Sequence, residues 1–172
     1  RSSDLRQELL LTKMKSDAED MRRRLNDMRA DLADNRFVGD RLERLDTAAA
    51  EADKAMEAGD FRVALEQWRE ALDMAVEIEN AVKQEMRGKA DELKMDSEIW
   101  YNRVRDYGSL DASLAEMISK YELAMALARD AVAKERFEFA VEQYERAIEI
   151  CKEIKQTADE KFTAKEGKDF TV

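Results

Sequence analysis

The chain has 172 residues, of which 44% are hydrophobic and 41% are charged, with no proline and five glycines. Residues that break helices are nearly absent, and no stretch alternates apolar and polar residues beside a turn pair, so the composition favours long helices over sheets. A formal net charge of −10 disfavours nucleic acid and anionic membrane surfaces as partners.

The chemistry available to the chain is narrow, because it has no histidine and one cysteine, Cys151. The absence of histidine excludes Ser-His-Asp and Cys-His nucleophile systems and the usual histidine-ligated zinc, di-metal and haem sites. One cysteine cannot build a zinc ribbon or an iron–sulfur cluster, and no glycine-rich phosphate loop is present. Carboxylate, lysine or tyrosine chemistry remains open. We expect a protein that is not an enzyme and that has no cofactor and no metal ion.

No apolar run approaches the roughly 18 to 20 residues needed to span a bilayer, and no signal peptide is visible. We therefore expect a cytoplasmic protein without direct membrane insertion and without nucleic acid as a partner. The sequence starts at Arg1 and not at methionine, which is compatible with a fragment that has lost a targeting segment.

The first predicted helix covers about residues 3–57. Its clearest feature is a stripe of apolar or small residues spaced alternately three and four apart, as in a coiled-coil seam. The stripe consists of Leu11, Met14, Ala18, Met21, Leu25, Met28 and Leu32. A polar segment that contains Gly39 follows, and a kink or break of the helix there is the alternative.

Residues 58–60 predict a tight turn, because Gly59 suits a left-handed position after a helix and Asp60 suits the N-cap of the next. The second predicted helix covers about residues 60–107. It carries a second stripe, which consists of Met86, Ala90, Leu93, Ser97, Trp100, Val104 and Tyr107. A break near Gly88 is the alternative.

A reversal at Gly59 would place the two stripes face to face, with Leu11 opposite Tyr107 and Leu32 opposite Met86. The sequence therefore predicts an all-α protein built on a long antiparallel coiled-coil hairpin. Two further helices, about 111–134 and 136–164, complete a helical bundle. We expect residues 1–172 to form a single elongated all-helical domain.

An internal repeat relates residues 52–78 to residues 128–154. Small residues recur at the same places on both helices of each segment, which allows close backbone approach, and one large aromatic residue recurs between them. The matched pairs are Ala52 and Ala128, Phe61 and Phe137, Ala64 and Ala140, Trp68 and Tyr144, Ala71 and Ala147, and Ile78 and Ile154.

This pattern resembles the tetratricopeptide repeat, a helix–turn–helix unit of about 34 residues. The resemblance covers roughly residues 45–78 and 121–154, as two units that are not in tandem. Convergent packing in ordinary helical hairpins is the alternative. Proteins of this family typically bind protein segments, so the resemblance implies that the first helix of each unit presents partner-binding residues. These would be Asp46, Ala49, Asp53 and Met56 in one unit and Glu122, Met125, Arg129 and Val132 in the other.

Surplus apolar residues on the second helix add Phe61 and Leu65 to the candidate partner-binding residues. Together these observations predict a non-catalytic interaction scaffold or adaptor that binds a protein partner or a second copy of itself as a homodimer. Two alternatives remain. One is a purely structural coiled-coil spacer or filament segment, natural or designed. The other is a helical bundle that senses a small ligand near Trp100, Tyr107 and Tyr121.

Overall fold

The structure of the protein is a computed structural model that describes residues 1–166. Five α-helices account for most of these residues, and none of them lies in a strand. The helices are α1 (Ser2–Ala33), α2 (Leu42–Glu57), α3 (Phe61–Val104), α4 (Ala112–Ala133) and α5 (Phe137–Glu166), with a short 3₁₀ turn at Arg105–Ser109. The all-α prediction is confirmed.

The predicted helices over 60–107, 111–134 and 136–164 correspond closely to α3, α4 and α5. The single helix predicted over 3–57 is wrong, and the alternative of a break at the segment that contains Gly39 is confirmed, because the chain leaves the helix at residue 34 and re-enters one at residue 42. Two local features end it. The Phe37 amide donates to Asn35 Oδ1 at 2.8 Å, and Gly39 adopts a φ of +58°, which a non-glycine residue rarely tolerates.

The described residues divide into two compact units, the first formed by residues 1–83 and the second by residues from 84 onwards. Helix α3 contributes its first part to the first unit and its last part to the second. That the whole chain acts as one domain stays a prediction, as does the identification of the two hairpins as tetratricopeptide units.

In the first unit, α1 and α2 run antiparallel. Arg29 forms an ion pair with Asp46 and Arg22 forms one with Asp53, so residue numbers fall along one helix as they rise along the other. The chain then reverses at Gly59, where φ is +74°. The Gly59 amide donates to the Met56 carbonyl and the Asp60 amide to the Ala55 carbonyl, a pattern that closes a helix on a left-handed residue. The predicted turn is therefore present.

The core of the first unit corrects the predicted pairing of the two stripes. Ala18 and Leu25 of α1 are fully buried in a cluster formed with residues of α2 and the first part of α3. The α2 and α3 members of this cluster are Leu45, Ala49, Ala52, Ala64, Leu65, Trp68, Ala71 and Ala75. Leu11, predicted to face Tyr107, is 53% exposed. The first stripe is satisfied locally because the break at 34–41 brings α2 back alongside α1.

The second unit is built from the last part of α3 with α4 and α5, and a buried polar group ties the three segments together. The Ser97 hydroxyl donates to the Leu93 carbonyl at 2.7 Å and lies 3.3 Å from the Tyr144 carbonyl on α5. The Tyr121 hydroxyl on α4 donates to the Ser97 carbonyl at 3.4 Å. A small polar residue thus fills the place that a bulkier apolar residue would take in a uniform stripe.

The repeated small and aromatic positions lie in the core of both units. Trp68 is 0% and Tyr144 is 1% exposed, and the paired alanines of the repeat are equally buried. The two repeats also turn alike, because the residue equivalent to Gly59 is Glu135, whose φ is +58°. The Arg136 amide then donates to the Ala131 carbonyl, as Asp60 does to Ala55 in the first repeat.

Candidate interaction surface

The two helical hairpins, α2 with α3 and α4 with α5, present equivalent faces in very different surroundings. The repeat places Asp46, Ala49, Asp53 and Met56 in register with Glu122, Met125, Arg129 and Val132. The first set belongs to α2 and the second to α4. The surroundings of each set follow from the helix that precedes its hairpin.

On α2, the predicted face packs against α1, which buries its centre and leaves Asp46 and Asp53 partly exposed. Asp46 Oδ1 lies 2.7 Å from Arg29 Nη2, and Asp53 Oδ1 lies 3.2 Å from Arg22 Nε. Between these ion pairs Ala49 is 1% exposed, and Met56 packs against the same core. A binding role for these four residues stays a prediction, and it requires α1 to leave this face.

Phe61 and Leu65 are also engaged within the first unit. Leu65 is 9% exposed and belongs to the core cluster. Phe61 is half-buried at the start of α3, and the Lys15 ammonium lies 6.0 Å from the centroid of its ring. Neither residue forms an open apolar surface, because Leu65 lies in the core that α1 helps to form and Phe61 is close to Lys15 of α1.

On α4, by contrast, three of the four predicted residues line a groove of about 390 Å³ between α3 and α4. We call this site the tyrosine groove and define it by Glu98, Tyr101, Tyr121, Glu122, Met125 and Arg129. The fourth predicted residue, Val132, is half-buried farther along α4 and is outside the lining.

The floor of the tyrosine groove is aromatic. The rings of Tyr101 and Tyr121 stack with centroids 4.5 Å apart and planes that differ by 2°. Burial raises the pKa of the Tyr121 phenol above its ordinary value, so this hydroxyl stays protonated and donates to Ser97. Met125 is 2% exposed beside the rings. A stacked pair and a thioether together form an apolar surface.

The rim of the tyrosine groove carries charges that have no ionic partner. Glu98, Glu122 and Arg129 form no ion pair within the described residues, whereas the α2 counterparts Asp46 and Asp53 are both paired. Two carboxylates and one guanidinium therefore remain available above the apolar floor. The equivalent faces of the two units therefore differ in their ion pairing.

Sequence reasoning found the α4 side of the groove and missed the α3 side. Glu98 and Tyr101 were not predicted, because neither belongs to the second stripe. The signal that identifies them is the short connection around Gly108, since two helices joined by few residues pack antiparallel. That connection sets Tyr101 against Tyr121.

The three aromatic residues proposed for a small-ligand site do not share one cavity. Tyr121 lines the tyrosine groove, whereas Trp100 lines a separate groove of about 690 Å³ between α3 and α5. There the Trp100 ring lies between the Arg103 guanidinium at 5.1 Å and the Lys152 ammonium at 5.8 Å. Tyr107 is half-buried and lines neither groove.

Cys151 is fully buried, and burial raises the pKa of its thiol to about 11. Among the described side chains, no group of three or more carboxylates or thiols is placed to hold a metal ion. None of the helices within residues 1–166 combines the length and hydropathy needed to cross a bilayer. No protein-family model, curated protein or solved structure matches this chain.

Proposed function

We propose that this chain is a non-catalytic protein–protein interaction module that binds a segment of a partner protein in the tyrosine groove. The observation that carries this proposal is the set of unpaired charges, Glu98, Glu122 and Arg129, above the stacked rings of Tyr101 and Tyr121. A surface with unused charges and an apolar floor binds by adding ion pairs at the rim while burying an apolar side chain at the centre.

The charges define the chemistry of the bound segment. Glu98 and Glu122 favour a lysine or arginine, and Arg129 favours a carboxylate, with which its guanidinium makes two parallel hydrogen bonds. The floor favours an apolar or aromatic side chain between them. The expected ligand is therefore a short segment with one apolar anchor, a basic residue on one side and an acidic residue on the other.

The position of the groove agrees with the resemblance to tetratricopeptide units, in which the first helix of a hairpin presents the binding residues. Helix α4 is that helix, and it supplies Glu122, Met125 and Arg129. The structural-spacer alternative gives no role to a groove that has a stacked aromatic floor and charges of both signs at its rim. For this reason we favour the interaction module over the spacer.

Selection of peptides from a random library displayed on phage tests the proposal directly. Peptides are selected on the wild-type chain and measured by calorimetry against two variants, Glu122→Lys and Arg129→Glu. Both residues are exposed, so both variants should fold. We expect each variant to weaken binding by about tenfold or more, because a charge reversal replaces an attraction with a repulsion.

Matched controls lie on the opposite side of the same helix. Glu116→Lys repeats the first charge change and Lys120→Glu repeats the second, and neither residue lines the groove. We expect both controls to bind as the wild type does. Selected peptides that bind all four variants equally, or a selection that yields no saturable ligand, would contradict the proposal and favour the spacer.

A further inference from the structure

A second concave surface lies in the first unit, between the beginning of α2 and the middle of α3, with a volume of about 500 Å³. Its floor is apolar and consists of Leu45, Met74 and Ile78. One wall carries three exposed carboxylates of α3, Glu70, Asp73 and Glu77, and the facing wall carries Arg41 and Arg44. We call this surface the acidic notch and define it by its three apolar floor residues and its three carboxylates.

The apolar residues on the floor of the notch are less buried than the residues at the equivalent positions of the second unit. This difference indicates that the floor is available to a partner. Met74 and Ile78 are half-buried, whereas their repeat counterparts Ile150 and Ile154 are 8% and 0% exposed. Helix α2 has 16 residues, while its counterpart α4 has 22 and extends farther at its N-terminal end. The first unit thus lacks helical cover over apolar side chains that the second unit buries.

The carboxylates of the notch repeat with helical spacing. Glu70, Asp73 and Glu77 lie three and four residues apart, so they share one side of α3. Within the described residues none of the three forms an ion pair, and Arg44 on the opposite wall forms none either. The wall therefore has unused negative charge along about two helical turns.

We propose that the acidic notch docks an amphipathic helix of a partner protein that carries lysines or arginines beside an apolar stripe. Basic side chains of a helix recur at the same spacing as the three carboxylates, so one helix satisfies all of them while its apolar stripe covers Met74 and Ile78. A second copy of this chain is a poor occupant, because its net charge of −10 opposes approach to an acidic wall.

This docking site is separate from the tyrosine groove and concerns a different class of ligand, so it goes beyond the proposed function. The notch selects a basic helix, whereas the groove selects a short segment with both charge signs. A chain that has both sites would bring two partners together. Each site can fail its own test without affecting the other.

The test uses a synthetic peptide of about 18 residues with leucines on one helical face and lysines flanking them, labelled for fluorescence anisotropy. We expect saturable binding to the wild-type chain. The double variant Asp73→Lys, Glu77→Lys should weaken it by about tenfold or more, because both residues are exposed and face the docked lysines. The helix content of each variant is compared by circular dichroism.

The control is the double variant Glu51→Lys, Glu79→Lys, which makes the same charge change at exposed residues that do not line the notch. It should bind the peptide as the wild type does. A peptide of the same composition with its leucines scattered should bind at least about tenfold more weakly. Equal binding by the notch and control variants, equal binding of the scattered peptide, or no saturable binding would each overturn the proposal.

Discussion

Gly59 and Glu135 occupy the same position in the two helical hairpins, and both adopt a left-handed φ, +74° and +58°. Glycine takes this conformation without a steric penalty, whereas a residue with a β-carbon is strained by about 1–2 kcal/mol. The two turns make the same hydrogen bonds, so the second hairpin holds its turn against this strain. The repeat therefore contains a natural comparison of glycine and glutamate at one backbone position.

We predict that Glu135→Gly is more stable than Glu135→Ala by about 1 kcal/mol. Alanine is the matched control, because both substitutions remove the carboxylate and its contacts while only glycine relieves the strain. The free energy of unfolding from urea titrations measures the difference. An alanine variant as stable as the glycine variant would contradict a strained turn at this position.

The N-terminus of α4 gives a prediction about pH. Asp111 accepts a hydrogen bond from Lys161 Nζ at 2.8 Å and from the amides of Ser113 and Leu114 at 2.7 and 3.2 Å. These bonds, that from Lys161 above all, hold the pKa of the Asp111 carboxyl well below its ordinary value. A carboxyl whose pKa is lowered by folding stabilises the fold above its unfolded pKa and loses that contribution as pH falls.

We therefore expect Asp111→Asn to destabilise the chain at pH 7, and the gap to the wild type to narrow as pH falls below about 4. Thermal unfolding followed by circular dichroism between pH 7 and pH 2 measures both curves. Asp106→Asn is a suitable control, since this carboxylate is exposed and accepts no hydrogen bond from an amide at a helix start. A gap that is independent of pH would contradict the assignment of Asp111 as an ionised cap.

Local sequence features predicted the hairpins well, because they determine local structure. Gly59 with Asp60 identified one turn, and the recurring alanines with Trp68 and Tyr144 identified the residues of both cores. These signals act within a few turns of helix, where spacing alone decides which side chains meet. The α4 side of the tyrosine groove followed from the same kind of pattern.

Which helices pack against each other over long distances in the sequence could not be predicted from local patterns. A stripe such as that from Leu11 to Leu32 fits any complementary stripe, so its period does not identify its partner. The segment 34–41 determines which helix α1 packs against. There the Asn35 side chain and the left-handed Gly39 end α1 and allow α2 to fold back. Tyr101 was missed as a groove residue because it lies outside the second stripe.

Trp68 provides a test of the first core. Its side chain is 0% exposed, and its indole N–H has no hydrogen-bond partner among residues 1–166. We expect Trp68→Ala to cost about 3–5 kcal/mol through the cavity it creates. Trp68→Phe should lower the free energy of unfolding by clearly less. It removes part of the ring, but it also removes a buried N–H without a partner, which is unfavourable by about 1–3 kcal/mol. Urea unfolding followed by circular dichroism measures both variants, and equal costs would argue against an unpaired N–H.

Leu25 and Leu11 test the position of α1, since both belong to the same sequence stripe but differ in burial. Leu25 is 0% exposed in the core of the first unit, whereas Leu11 is 53% exposed. We predict that Leu25→Ala costs about 2–5 kcal/mol of the free energy of unfolding, while Leu11→Ala changes it by less than about 0.5 kcal/mol.

The stabilities of these two variants distinguish two ways of packing α1 that are equally compatible with the sequence. In a hairpin that reversed only at Gly59, Leu11 would be buried against Tyr107 and its truncation would cost as much as that of Leu25. In the three-helix core, α2 covers Leu25 and leaves the first turns of α1 without cover, so only Leu25 contributes. Comparable losses for the two variants in urea titrations would therefore restore the long hairpin and place α1 away from α2, opening the face of Asp46 and Asp53.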